Sequence, residues 1–140
     1  MKDKSNLKII PAPDPRLIPK YLVEQVKERD WQIDQFYTYQ LKAQSDKANI
    51  LLTIVDERHF IVGFVWLTLD GFSQVCFVNT VSIDKKHQGQ RSLLKKIEKY
   101  IKELTKKLGF SKIIIVTKRT KVLQRYGFAE SRNKILEMKA

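Results

Sequence analysis

The chain has 140 residues, 43% of them hydrophobic, with a net charge of +12 and a single cysteine. That size and composition describe one folded domain with a core of its own, and exclude a disordered chain and an internal disulfide. The longest apolar runs, such as residues 113–116, are too short to span a bilayer. Near the N-terminus, charge and proline interrupt the apolar residues, so no signal-peptide pattern forms. With one cysteine, the expected compartment is reducing and cytoplasmic, without a membrane partner.

The charge is concentrated. Residues 85–125 carry 14 Lys plus Arg against two acids, Glu98 and Glu103, whereas the remainder holds 13 basic and 13 acidic residues. An anionic partner is implied: a phosphate-bearing cofactor, nucleic acid or an acidic protein surface. A lysine-rich helix face kept for solubility is the plain alternative.

In chain order, residues 7–10 form a short apolar strand, and Pro11, Pro13 and Pro15 then forbid regular structure. Asp14 before Pro15 marks a helix start. Leu17, Tyr21, Leu22, Gln25 and Val26 give helical spacing over residues 17–29, and Trp31, Phe36, Tyr39 and Ala43 over residues 31–43. Their aromatics are expected to be core. Strands follow at residues 50–55 and 61–69, joined by a turn at 56–59, with Gly63 marking a bulge. Asp70-Gly71 turns into a long alternating strand over residues 75–83.

A basic turn at residues 85–90 contains Gly89, and an amphipathic helix runs over residues 92–108. Leu93, Leu94, Ile97, Tyr100, Ile101, Leu104 and Leu108 take one face of it, and lysines the other. A helix N-terminus leaving such a turn offers free N–H groups and a dipole that favour phosphate. Gly109 caps the helix. Residues 112–117 read as a strand buried on both faces, 118–126 as a short helix, and 129–138 as a last strand after Gly127-Phe128. Two histidines and one cysteine, widely spaced, make no metal site, and there is no Walker loop or dinucleotide fingerprint.

This order of elements resembles the GNAT superfamily of acyl-CoA-dependent N-acetyltransferases over nearly the whole chain. Three stretches carry the likeness: FIVGFVWLTL at residues 60–69, VNTVSIDKKHQGQRSLL at 78–94, and VLQRYGFAES at 122–131. The resemblance implies a single α/β (α+β) domain over residues 1–140, with a mixed, mostly antiparallel sheet flanked by helices. It implies acetyl-CoA as acyl donor, an amine as acceptor, and no metal. The cofactor would lie along Val81, Ser82 and Ile83 and on the turn residues Gln88, Gly89, Gln90, Arg91 and Ser92. The turn is about three residues shorter than the family pattern and puts Arg91 where a small residue belongs. Leu123 stands where many members carry a general-acid tyrosine, while Tyr126 is nearly a helical turn later.

For the chemistry, Tyr126 is the candidate acid and Asp84, at the strand exit, the candidate base, with a cap or a lysine partner as its alternative. His87 is expected exposed in the turn. Cys76, between Val75 and Phe77, is expected to be a buried, inert thiol. A second function competes: a non-catalytic protein of the same fold whose Lys95, Lys99, Lys102 and Lys106 line an outward stripe for nucleic acid or an acidic protein.

Overall fold

A computed structural model describes residues 6–26 and 33–115. Strand β1 (Lys8–Pro11) leads through the proline segment to a single 3-10 turn (Pro15–Leu17), α1 (Lys20–Glu24) and α2 (Ile33–Lys42). Then come β2 (Asn49–Val55), β3 (Ile61–Asp70), β4 (Val75–Ile83), α3 (Arg91–Lys107) and β5 (Lys112–Ile115). The five strands form one sheet in sequence order, antiparallel except for the parallel β4–β5 pair.

The helix expected over residues 17–29 is divided at its start. Asp14 does cap, accepting the Arg16 N–H at 2.9 Å, but only for the 3-10 turn. Ile18 precedes Pro19 and is extended, with ψ 122, because the proline ring disfavours helical backbone before it. The helix restarts at Lys20 with Pro19 as N-cap. The remainder of that expected helix, and Trp31, lie outside the described residues, as do the expected helix at 118–126, Tyr126, Gly127-Phe128 and the last strand.

Two cores form, one on each sheet face. Ile18, Leu22, Val23, Phe36 and Phe64 pack together beneath α1 and α2. Leu52, Ile54, Val65, Leu67, Cys76, Val78 and Ile83 meet Leu93, Ile97 and Ile101 of α3 on the other face. Along α3, Leu94, Tyr100 and Leu104 are half-buried and Leu108 is exposed. Thr105 is buried instead, its Oγ1 donating back to the Ile101 carbonyl at 2.8 Å. Polar groups tie α2 to the sheet: Trp66 Nε1 donates to Asn49 Oδ1 at 2.7 Å, and Asn49 Nδ2 donates to buried Gln40 at 2.9 Å.

Two irregularities shape β3 and β4. Ile54 pairs with Gly63 and Val55 with Ile61, so Val62 is the extra residue of a bulge beside the glycine. A Cβ on Gly63 would meet the Ser82 carbonyl oxygen at 2.8 Å and Ile54 Cδ1 at 3.0 Å, which is why no side chain fits there. In the β3–β4 pair, Trp66 faces Thr80 but Leu67 faces Val78, leaving Asn79 as the extra residue. The alternation therefore changes phase at Asn79. Cys76 and Val78 join the α3 face, whereas Thr80 and Ser82, opposite Trp66 and Phe64, turn toward α1 and α2.

Candidate active site

The described part of β5 ends at Ile115, opposite Val78. It pairs with β4 from Val75 to Val78. The described part of β5 is half-buried, less covered than the strand expected there. On the other side, the Asp84 N–H donates to the Val62 carbonyl at 2.7 Å, so Asp84, Ser82 and Thr80 turn their backbone groups toward β3. Val81 and Ile83, of opposite parity, turn theirs to the open edge. Among the described residues no strand is in register with Val81 on that side, and its side chain is 40% exposed.

At the exit of β4 the turn folds around Asp84. Its Oδ1 accepts the Lys86 N–H at 2.9 Å, its carbonyl accepts from the His87 and Gln88 N–H groups, and its Oδ2 accepts from the Tyr21 hydroxyl at 3.1 Å. The Lys86 N–H bond chiefly holds this carboxyl below its ordinary pKa, against partial desolvation, with Tyr21, His87 and Lys86 adding to it. Burial first, and the Asp84 contact second, push the Tyr21 phenol up. Asp84 thus anchors the turn, the cap role that was the alternative to the expected base, and its contacts lower its basicity. Tyr21, its partner from α1, carries no sequence signal that sets it apart from other amphipathic-helix aromatics.

Gly89, at φ +80, sits in the left-handed region a glycine adopts freely, and it turns the chain into α3. The helix begins with Gln90 as N-cap, whose side chain makes no capping bond, and no acid occupies the first turn. The first backbone bond of the helix is Leu94 N–H to the Gln90 carbonyl. The N–H groups of Gly89, Gln90, Arg91, Ser92 and Leu93 are left without a partner among the described residues. Of the expected turn ligands, Gln88 is already engaged: its N–H serves Asp84 and its Nε2 donates to the Ile83 carbonyl at 2.8 Å. Gly89, Gln90, Arg91 and Ser92 remain at the N-terminal end of α3, joined to the end of β4 by the turn that Gln88 ties to Ile83.

His87 is half-buried rather than exposed. It lines a 250 Å³ cleft with Asn6, Leu7, Asp56, Glu57, Arg58 and Gln90, and its Nδ1 is buried without a partner. Cys76 is fully buried, and burial pushes its thiol up to about 11. Among the described residues no group of three His, Cys, Asp or Glu could hold a metal ion, and no helix is long and apolar enough to cross a membrane.

Lys95, Lys99, Lys102 and Lys106 are all exposed along α3. Two of them have carboxylate partners: Lys102 Nζ lies 2.6 Å from Glu98 and Lys99 Nζ 4.0 Å from Glu103. The stripe is therefore partly neutralised, at i,i+4 spacing typical of a solvated helix.

The fold has relatives among solved structures. An aminoglycoside N-acetyltransferase in complex with CoA superposes with a TM-score of 0.77 at 14% identity, covering 99% of each chain. Glucosamine-6-phosphate N-acetyltransferase from Arabidopsis thaliana gives a TM-score of 0.70 at 18% identity, covering 97% of this chain and 98% of that one. Spermidine/spermine N-acetyltransferase from Vibrio cholerae gives 0.66 at 16% identity, covering 87% and 75%. At such identities the likeness is one of fold. No curated protein sequence matches the chain. The sequence profile of the acetyltransferase (GNAT) family matches residues 17–128, a span holding the bulged β4, the open edge and the α3 N-terminus. By that match, together with the fold, the chain belongs to the GNAT family of acetyltransferases.

Proposed function

We propose that the protein is an acetyl-CoA-dependent N-acyltransferase that acts on an amine. The observation that carries this is the end of β4 and the turn into α3: N–H groups from Gly89 to Leu93 without a partner among the described residues, and a strand edge at Val81 with no described strand in register on its far side. The first suits a pyrophosphate and the second an extended chain of amides. Solved relatives named for spermidine, glucosamine 6-phosphate and aminoglycosides point to amine acceptors as a class.

Acetyl-CoA supplies the acyl group as a thioester, so the chain has only to bind, orient and handle protons. The α3 N-terminus and Arg91 hold the pyrophosphate charge, in place of the additional glycines that the shorter turn lacks. The Val81 backbone would pair with the extended arm or, through its N–H, stabilise a developing oxyanion. Asp84 fixes the turn. Tyr126 is the proposed proton donor to the departing thiolate.

The test is release of CoA thiol from acetyl-CoA in the presence of spermidine, glucosamine 6-phosphate or an aminoglycoside. Turnover with one of them supports the reading, and none with any amine tried alongside absent CoA binding rejects it. Arg91→Ala should weaken CoA binding by about 1.5–3 kcal/mol, the worth of a hydrogen bond to a charged group. Unchanged affinity would remove Arg91 from the site.

The exposure of Lys95, Lys99, Lys102 and Lys106 favours a second reading, a phosphate track for nucleic acid or a surface for an acidic protein. The Glu98 and Glu103 pairs weaken it.

A further inference from the structure

Helix α1 grips the last residues of β4 one after another. The Ser82 hydroxyl donates to the Leu22 carbonyl at 2.6 Å. Gln25 Nε2 donates to Ser82 Oγ at 3.0 Å and to the Ile83 carbonyl at 3.1 Å. The Tyr21 hydroxyl donates to Asp84. From the turn, Gln88 Nε2 reaches the same Ile83 carbonyl at 2.8 Å.

The Ile83 carbonyl is the group that strand alternation places on the open edge. A carbonyl oxygen has two lone pairs, and two side-chain amides take them. Among the described residues the edge is therefore closed as an acceptor at Ile83 and open at Val81, two residues earlier. An extended ligand with secondary amides, laid along this edge as an added strand, can find a backbone acceptor at Val81 and not at Ile83. Gln25 governs that choice from outside the strand. It is half-buried, it caps the C-terminus of α1, and it bridges a side chain and a backbone group of β4 with one amide nitrogen.

We infer that Gln25 is a positioning residue for the pantetheine arm of acyl-CoA. By holding the Ser82–Ile83 peptide it sets the register in which the arm pairs with β4, directing it to Val81. It acts through Ser82 and Ile83 and does not touch the reacting atoms. The inference rests on the acyl-CoA reading above, and it adds a link between α1 and cofactor register: a shift of α1 alters the edge the arm pairs with.

The experiment is calorimetry on the full chain with two probes. CoA carries the arm, whereas 3′-phosphoadenosine 5′-diphosphate carries the nucleotide and pyrophosphate without it. Gln25→Ala should weaken CoA by about tenfold, the scale of one hydrogen-bonded position, and leave the arm-less probe unchanged. Arg91→Ala should weaken both. Equal losses for the two probes in Gln25→Ala, or no loss for CoA, would overturn the inference. Should the alanine variant fail to fold, Gln25→Met keeps the length without the donor and carries the same expectation. If neither variant retains the arm-less probe, Gln25 is purely structural and the inference fails. Should the parent chain bind neither probe, it is the acyl-CoA reading itself that fails, a result distinct from every outcome above.

Discussion

At Asp84 a single carboxylate shows how local geometry decides a role. Its partners hold its pKa below the ordinary carboxylate value, so the folded chain binds this proton less readily than the unfolded one. The stability it contributes is present above the unfolded pKa and is lost as pH falls through the folded one. Asp84→Asn should therefore flatten the acid limb of a thermal-melting profile against pH. Asp14 and Asp70, also depressed, remain in both proteins, so the difference isolates Asp84. An unchanged limb would mean that the carboxylate is not anchored as described. Cys76 makes the converse case. Buried, with its thiol pushed up to about 11, it should resist alkylation at neutral pH in the folded protein and react only on unfolding in urea. Rapid native labelling would contradict its burial. Its inertness was legible from its apolar neighbours, whereas the hydroxyl of Tyr21 on Asp84 was not, because the two residues lie 63 positions apart.

At the scale of elements, α3 and β4 were read from different signals with different success. The apolar spacing of Leu93, Ile97 and Ile101 is a local property of the helix, and these three are its buried apolar contacts. Ile97→Ala should cost about 2–5 kcal/mol in urea unfolding; a cost under about half a kcal/mol would mean that this face is not packed. Strand β4 has an unbroken alternating pattern in the sequence, yet its two halves face opposite ways about Asn79. Period two cannot reveal such a bulge, because the extra residue is defined only by the partner strand. Gly63 was visible as an irregularity, and its reason is the approach of the Ser82 carbonyl from the neighbouring strand. Gly63→Ala should destabilise by about 1–3 kcal/mol through that clash, and a neutral effect would show that β3 and β4 shift apart easily. Pro19 dividing the first helix could have been read directly, since proline restrains the residue before it.

For the whole molecule, the order of elements as far as β5 and the GNAT resemblance were legible because alternation, helical periodicity and turn residues are each written locally. The site was legible only as a location. Which N–H groups stay unpaired at the α3 N-terminus, and which carbonyl of the β4 edge is closed, depend on contacts from α1 and the turn. The net charge of +12 allows two uses, a cofactor's phosphates or a polyanion. A nucleic-acid track would make log K fall by about 0.9 per log unit of salt for each phosphate neutralised. Lys102→Glu with Lys106→Glu would then abolish duplex binding while leaving the α3 N-terminus, about three turns away, untouched. The account's central claim is that the β4 edge and the α3 N-terminus together bind acyl-CoA. A calorimetric titration of the chain with acetyl-CoA tests it most directly. The predicted result is saturable, one-to-one binding in the micromolar to millimolar range usual for enzyme substrates, weakened in Arg91→Ala; heats indistinguishable from dilution at millimolar acetyl-CoA would contradict it.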